Sequence, residues 1–210
     1  MAVVVRARVL LGDVFRWERC YDAGMPRPVI GIFGSYAARP HSALYRLAHD
    51  IGHRLAAGGF TVLNGGYDGT MRAAAAGAKE AGGRTIGVTC PTVLRKRGAR
   101  LKPNEFLDEV REEPTLFARI ERMLRACGGY VFLPGGTGTL SELGMIWEYV
   151  HKGFIARRPI AVVGEYWLPL VDLLGKARGA DDCIFRVETA EQVRDVMLRH
   201  ALPTTDDVPG

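Results

Sequence analysis

The chain lacks any apolar run approaching the ~18–20 residues that a membrane-spanning helix requires, because arginine interrupts every candidate. It also lacks paired cysteines. Cys20, Cys90, Cys127 and Cys183 are isolated, with no CxxC and no metal-ligand spacing. That excludes a zinc-ribbon pattern and fits reduced thiols better than a disulfide framework. Low-complexity segments are missing too, since the 11 prolines and 26 glycines are scattered over 210 residues. A hydrophobic share of 48% beside 24% charged residues excludes a disordered or collagen-like chain. The length points to one domain, at most two. Arg6 and Arg8 fall inside the first apolar stretch, which makes it a poor secretion signal. A cytoplasmic protein with no membrane partner is expected.

An excess of one sign of charge is confined to one segment. The net charge is +5, and Arg95 to Lys102 alone carries five basic residues and no acid. The remainder is neutral, so a nucleic-acid track is not expected; the basic loop is either a flap in solvent or a contact for a small anion.

From Pro28 the sequence alternates strand and helix. Val29–Phe33 is a short apolar run that ends at Gly34 and Ser35, as a buried parallel strand does. Leu44, Leu47, Ala48, Ile51 and Leu55 mark a helix stopped by Gly58 and Gly59. Phe60–Leu63 forms a second strand, followed by an alanine-rich helix from Met71 to Ala81 and a third strand over Arg84–Val88. A long loop with the basic segment comes next. Leu116, Phe117, Ile120, Met123 and Leu124 mark another helix, and Tyr130–Leu133 a fourth strand. Leu140, Leu143, Ile146, Trp147 and Val150 follow as a helix; Ile160–Val163 and Cys183–Val187 are later strands, each with helical sequence after it. The pattern predicts a single Rossmann-like α/β domain over 28–202, a doubly wound and mostly parallel sheet with helices on its two faces. Residues 1–27 fit poorly and read as an N-terminal extension or a start-site artefact, and 203–210 as a frayed tail.

Three strands end in glycine-rich turns that lead to helices: Gly34 with Ser35; Gly65, Gly66 and Gly69 with Thr70; and Gly135, Gly136, Thr137, Gly138 and Thr139. Glycine lets backbone approach a ligand, and unpaired amides at a helix start favour an anion. Three such turns at one sheet edge, with hydroxyls among them, point to a phosphate or nucleotide. No lysine follows the glycines as in a P-loop, and no full GxGxxG is present, so an ordinary NTPase or dehydrogenase is disfavoured.

The segment Pro134-Gly-Gly-Thr-Gly-Thr-Leu-Ser-Glu142 matches PGGxGTxxE, the signature of the LOG ("Lonely Guy") family, and the chain resembles that family over roughly 30–174. The resemblance implies a Rossmann-like fold, a homodimer with sites near the subunit interface, and cleavage of cytokinin riboside 5′-monophosphates or related nucleotides. The family's second feature is an arginine fifteen residues before the PGG proline, which here is Arg119. By resemblance, catalysis falls to Arg119 and Glu142, and phosphate binding to Gly135–Thr139. Two departures touch substrate contacts. Ile120 follows the arginine where the family has lysine, and the second turn reads Gly65-Gly-Tyr-Asp-Gly-Thr-Met71 where the family has GGGxxGLMG.

Plainer readings compete. Thr139-Leu-Ser-Glu142 is also a capping box with Thr139 as N-cap, and Arg119 is also readable as a surface arginine. Helical geometry sets Arg119 about 40° outside the apolar arc of its helix, while Arg122 and Arg125 point well away. His49 and His53 lie one helical turn apart with no third ligand evident, so no metal is expected. Cys90 and Ser35 have no identifiable base, and Ser35 stands in no GxSxG elbow. No lysine lies by the glycine turns for a pyridoxal Schiff base, so no cofactor is expected and the family's older lysine decarboxylase label is rejected.

The expected chemistry is hydrolysis of the N-glycosidic bond of a nucleoside 5′-monophosphate (AMP or a cytokinin-type nucleotide) to free base and ribose 5-phosphate. Glu142, expected in the first helical turn, would stay ionised near neutral pH through the helix dipole; Asp68 is a candidate second carboxylate. The alternative is a non-catalytic nucleotide or molybdenum-cofactor carrier on the same scaffold.

Overall fold

The computed structural model describes residues 28–91, 95–96, 99–178 and 183–203; the N-terminal extension, most of the tail and Cys20 lie outside them. The elements are β1 (Val29–Phe33), α1 (Ala43–Ala57), β2 (Thr61–Asn64), α2 (Thr70–Glu80), β3 (Thr85–Thr89), β4 (Arg95–Lys96), β5 (Ala99–Arg100), β6 (Glu109–Glu112), α3 (Leu116–Ala126), β7 (Gly129–Phe132), α4 (Thr137–His151), β8 (Ile160–Val163), α5 (Leu168–Arg178), β9 (Ile184–Val187) and α6 (Ala190–His200).

Seven strands form one sheet in the order β6-β3-β2-β1-β7-β8-β9, and every neighbouring pair is parallel. Strand alternation sorts the core into two layers. Val29 and Phe33 of β1, Tyr130 and Phe132 of β7, and Ile160 and Val162 of β8 pack with α3, α4 and α5 on one face. Ile30, Ile32, Val131, Leu133, Ala161 and Val163 point to the other face, against α1, α2 and α6. Phe33 and Phe132 are register partners, and their rings stack with centroids 4.8 Å apart. Each such side chain, fully buried, contributes ~1.5–3 kcal/mol of transfer free energy.

Local sequence sets the helix starts. Ser42 accepts a hydrogen bond from the Tyr45 amide, Thr115 one from the Ala118 amide, and Thr189 forms a capping box with Gln192. Helices α1 and α2 pack backbone to backbone. A Cβ on Gly52 would lie 2.0 Å from the Ala74 carbonyl oxygen, and one on Gly77 would lie 2.0 Å from that of His49.

Within the loop expected after β3, the described residues include short strands. The basic segment contains the antiparallel pair β4–β5, and the same stretch ends in β6, which pairs with β3 at the sheet edge.

The strand order makes the site. The chain leaves β1 toward the face with α1 and leaves β7 toward the face with α4, so the two central, adjacent strands diverge at their carboxyl ends. A crevice at such a divergence is where open α/β sheets bind ligands.

Candidate active site

A cleft of about 350 Å³ opens at that point, between the turns after β1, β2 and β7 and the first two turns of α3 and α4. Gly34, Ser35, Gly65, Gly136, Thr137, Gly138, Thr139, Arg119 and Glu142 all line it. Gly66, Gly69, Thr70 and Gly135, also expected to meet ligand, are absent from the lining and support the turns from behind. Gly69 has φ +68°, and a Cβ there would come within 2.2 Å of the Ser35 carbonyl oxygen. Thr70 ties the same turns together, its amide donating to the Ser35 carbonyl at 3.0 Å. Gly135 accommodates Thr139, whose Oγ1 would lie 2.3 Å from a Cβ at that glycine. Asp68 is exposed and is not among the lining residues.

The carboxylate and the guanidinium face each other. Arg119 Nη1 donates to Glu142 Oε1 at 3.2 Å, and Arg119 Nε donates to the Val88 carbonyl at the end of β3 at 2.8 Å. Each residue is only 8% exposed, so Arg119 is no surface arginine.

The capping-box reading of Glu142 is overturned. Helix α4 starts at Thr137 with Gly136 as its N-cap and no side-chain cap. Thr139 is therefore inside the helix, and Glu142 belongs to its second turn, pointed at Arg119. The expected ionisation changes with it. Burial pushes the Glu142 carboxyl up to about 7, against the opposing pull of the Arg119 charge and hydrogen bond. Desolvation outweighs the dipole because the dipole acts mainly within the first turn.

At the mouth of the cleft, the first bond of the α4 ladder runs from the Leu140 amide to the Gly136 carbonyl, 3.0 Å. The amides of Thr137, Gly138 and Thr139 precede that ladder, and Gly136, Thr137 and Gly138 are exposed. The opposite wall is apolar, with Phe33, Met71, Leu116 and Ile120. Sequence reasoning did not assign Tyr36, Tyr67 or Ser141, which also line the cleft. Ser141 was findable as the helical i+4 neighbour of Thr137, to whose carbonyl its hydroxyl donates at 2.9 Å. Tyr67 is held by Cys90, bonding its amide and carbonyl at 3.1 Å each, a contact no local pattern announces. Among the described residues no cluster of His, Cys, Asp and Glu could hold a metal ion, and no helix is long and apolar enough to cross a membrane.

The SLOG cluster4 family matches residues 27–166. The chain belongs to the SLOG cluster4 family. The LOG resemblance carried by the PGG segment holds within it. A cytokinin riboside 5′-monophosphate phosphoribohydrolase of Mycobacterium tuberculosis is 34% identical over 132 residues, 62% of this chain and 68% of that protein. The protein of the same name from Mycobacterium marinum is 33% identical over 118 residues, 56% of this chain and 61% of its own length. A molybdenum cofactor binding protein from Rippkaea orientalis shares this SLOG member's fold, with a TM-score of 0.66 at 22% identity over 82% of this chain and 96% of that one.

Proposed function

We propose that the protein hydrolyses the N-glycosidic bond of a nucleoside 5′-monophosphate, releasing the free base and ribose 5-phosphate. The observation that carries this reading is the buried Arg119–Glu142 pair, with its 3.2 Å contact, in the same cleft as the uncapped start of α4. The names of the mycobacterial relatives support it.

In this reading the 5′-phosphate rests on the amides of Thr137, Gly138 and Thr139, where the positive end of α4 favours an anion. The base lies toward the apolar wall. As the bond from C1′ to the base nitrogen lengthens, positive charge grows on the ribose ring, and the Glu142 carboxylate beside it stabilises that charge. The carboxylate also orients the attacking water and takes its proton. The hydroxyl oxygen ends on C1′, and the base nitrogen leaves with the bonding pair and gains a proton. Arg119 holds Glu142 in place and sets a positive charge near the phosphate or the departing base.

Incubation with AMP and chromatography of the products tests the reading. Adenine and ribose 5-phosphate are expected in equal amounts, and Glu142→Gln is expected to slow their release by ~10²–10⁴-fold. Full activity of Glu142→Gln would overturn the assignment of the carboxylate. Binding of AMP without turnover would favour a carrier on this fold. The homodimer is part of the same proposal: Leu116, Phe117 and Leu140 are exposed apolar residues in the elements that frame the cleft, and light scattering measures the mass in solution.

A further inference from the structure

The turn between β2 and α2 has a tighter relation to Arg119 than to the open cleft. A Cβ built on Gly65 would lie 1.9 Å from Arg119 Nη2. The other two nitrogens are committed, Nε to the Val88 carbonyl at 2.8 Å and Nη1 to Glu142 at 3.2 Å. A guanidinium is a rigid plane, so an arginine fixed at two nitrogens has no free choice for the third, and that third edge lies against the backbone of Gly65.

The turn is itself held from two sides. Asn64 is fully buried; its Oδ1 accepts from the Gly66 amide at 2.8 Å, and its Nδ2 donates to the Met71 carbonyl at 3.2 Å. Asn104 grips the same loop from across the sheet end, its Nδ2 donating to the carbonyls of Gly66 at 3.1 Å and Tyr67 at 3.0 Å. A turn braced this way is slow to yield. The guanidinium, at the end of a flexible stem, is the partner that gives way if the space closes.

We infer that Asn64 and Gly65 are positioning residues: the braced turn leaves, where Gly65 has no side chain, the slot that the Arg119 guanidinium must occupy to meet Glu142. This rests on the reading of Arg119 and Glu142 as the acting pair. The titratable residues lining the cleft are Tyr36, Tyr67, Arg119 and Glu142, and Arg119 is the one cation among them. Displacing it leaves the buried carboxyl facing no compensating charge.

The test follows the Glu142 carboxyl directly, by NMR titration of protein labelled with carbon-13 glutamate, the signal being assigned by its loss in Glu142→Gln. Gly65→Ala is expected to raise the Glu142 midpoint by about one pH unit or more, and Arg119→Ala is expected to do the same. The double variant is expected to add nothing to Arg119→Ala alone. In the AMP assay Gly65→Ala is expected to lower kcat by ~10- to 100-fold, the scale of a misplaced group, with KM changed much less. Asn64→Ala is expected to raise the midpoint less than Gly65→Ala, and it carries the test if Gly65→Ala fails to fold. An unmoved Glu142 midpoint in the folded variant overturns the inference, as does a double variant whose shifts add. A wild type that hydrolyses no nucleotide sinks the proposed function alone, because the titration reads the positioning without turnover.

Discussion

At position 142 two influences oppose each other on one carboxyl. Removal from water favours the neutral acid, and the Arg119 guanidinium at 3.2 Å favours the anion. Burial prevails, leaving the group near 7, the range in which a general base is most effective at neutral pH. Because kcat/KM reports ionisations of the free enzyme, its profile for AMP is expected to rise with pH through a midpoint at about 7. Glu142→Gln is expected to lose that limb and to lower the rate by ~10²–10⁴-fold. A flat profile between pH 5 and about 8 would remove Glu142 from the role of base. Stability has the opposite slope. Between the ordinary glutamate value of 4.5 and about 7 the folded state binds more protons at this site than the unfolded chain. Stability from this group is therefore greatest below that window and declines as pH rises through it. Chemical denaturation across the range is expected to show a shallower decline in Glu142→Gln than in the wild type.

Among the elements, closeness of approach governs what a substitution does. Helices α1 and α2 meet at Gly52 and Gly77, where an added methyl would fall 2.0 Å from a carbonyl oxygen of the facing helix. Backbone cannot move aside as a side-chain tip can, so Gly52→Ala or Gly77→Ala is expected to cost about 1–3 kcal/mol, a Tm lower by roughly 2–12 °C for a chain of this size. Gly175 in α5 is the control, with nothing within 4 Å of its added Cβ. Alanine there is expected to stabilise by ~0.4–1 kcal/mol through the unfolded chain alone. Equal melting of Gly52→Ala and wild type would refute the close-packing account. The same elements mark what sequence conveys. The strands of the core were legible because Val29–Phe33 and Ile160–Val163 are unbroken apolar runs, buried on the two faces. Strand β6 was not, because Glu109-Val-Arg-Glu112 has one apolar residue, and Glu109 pairs with Arg84 and with Arg111 of the same strand. The start of α4 was misplaced because a glycine N-cap has no side chain to advertise it. Arg119 was singled out through the family resemblance, which puts an arginine fifteen residues before Pro134. Its partner Gly65 as a slot was not, since a missing side chain says nothing of which distant group fills the space.

Over the whole molecule, the cleft joins segments remote in sequence: the turns after β1, β2 and β7 and the starts of α3 and α4. They come together where β2, β1 and β7 lie side by side in register, so no one of these segments forms the site by itself. A ligand that occupies it binds the folded state and not the unfolded chain, and its binding free energy adds to global stability. AMP is therefore expected to raise the melting temperature of the Glu142→Gln protein, which holds the nucleotide without consuming it. At a concentration 100 times its dissociation constant the gain is about 2.7 kcal/mol, a shift of roughly 5–11 °C for a protein of 150–250 residues. Adenosine lacks the phosphate that the amides of Thr137, Gly138 and Thr139 would bind and is expected to shift the transition far less. A single cooperative transition that moves with AMP ties the helix start to the phosphate. Equal shifts with AMP and adenosine would place the recognition elsewhere in the cleft, and no shift with either at millimolar concentration would mean that this sheet edge holds no nucleotide.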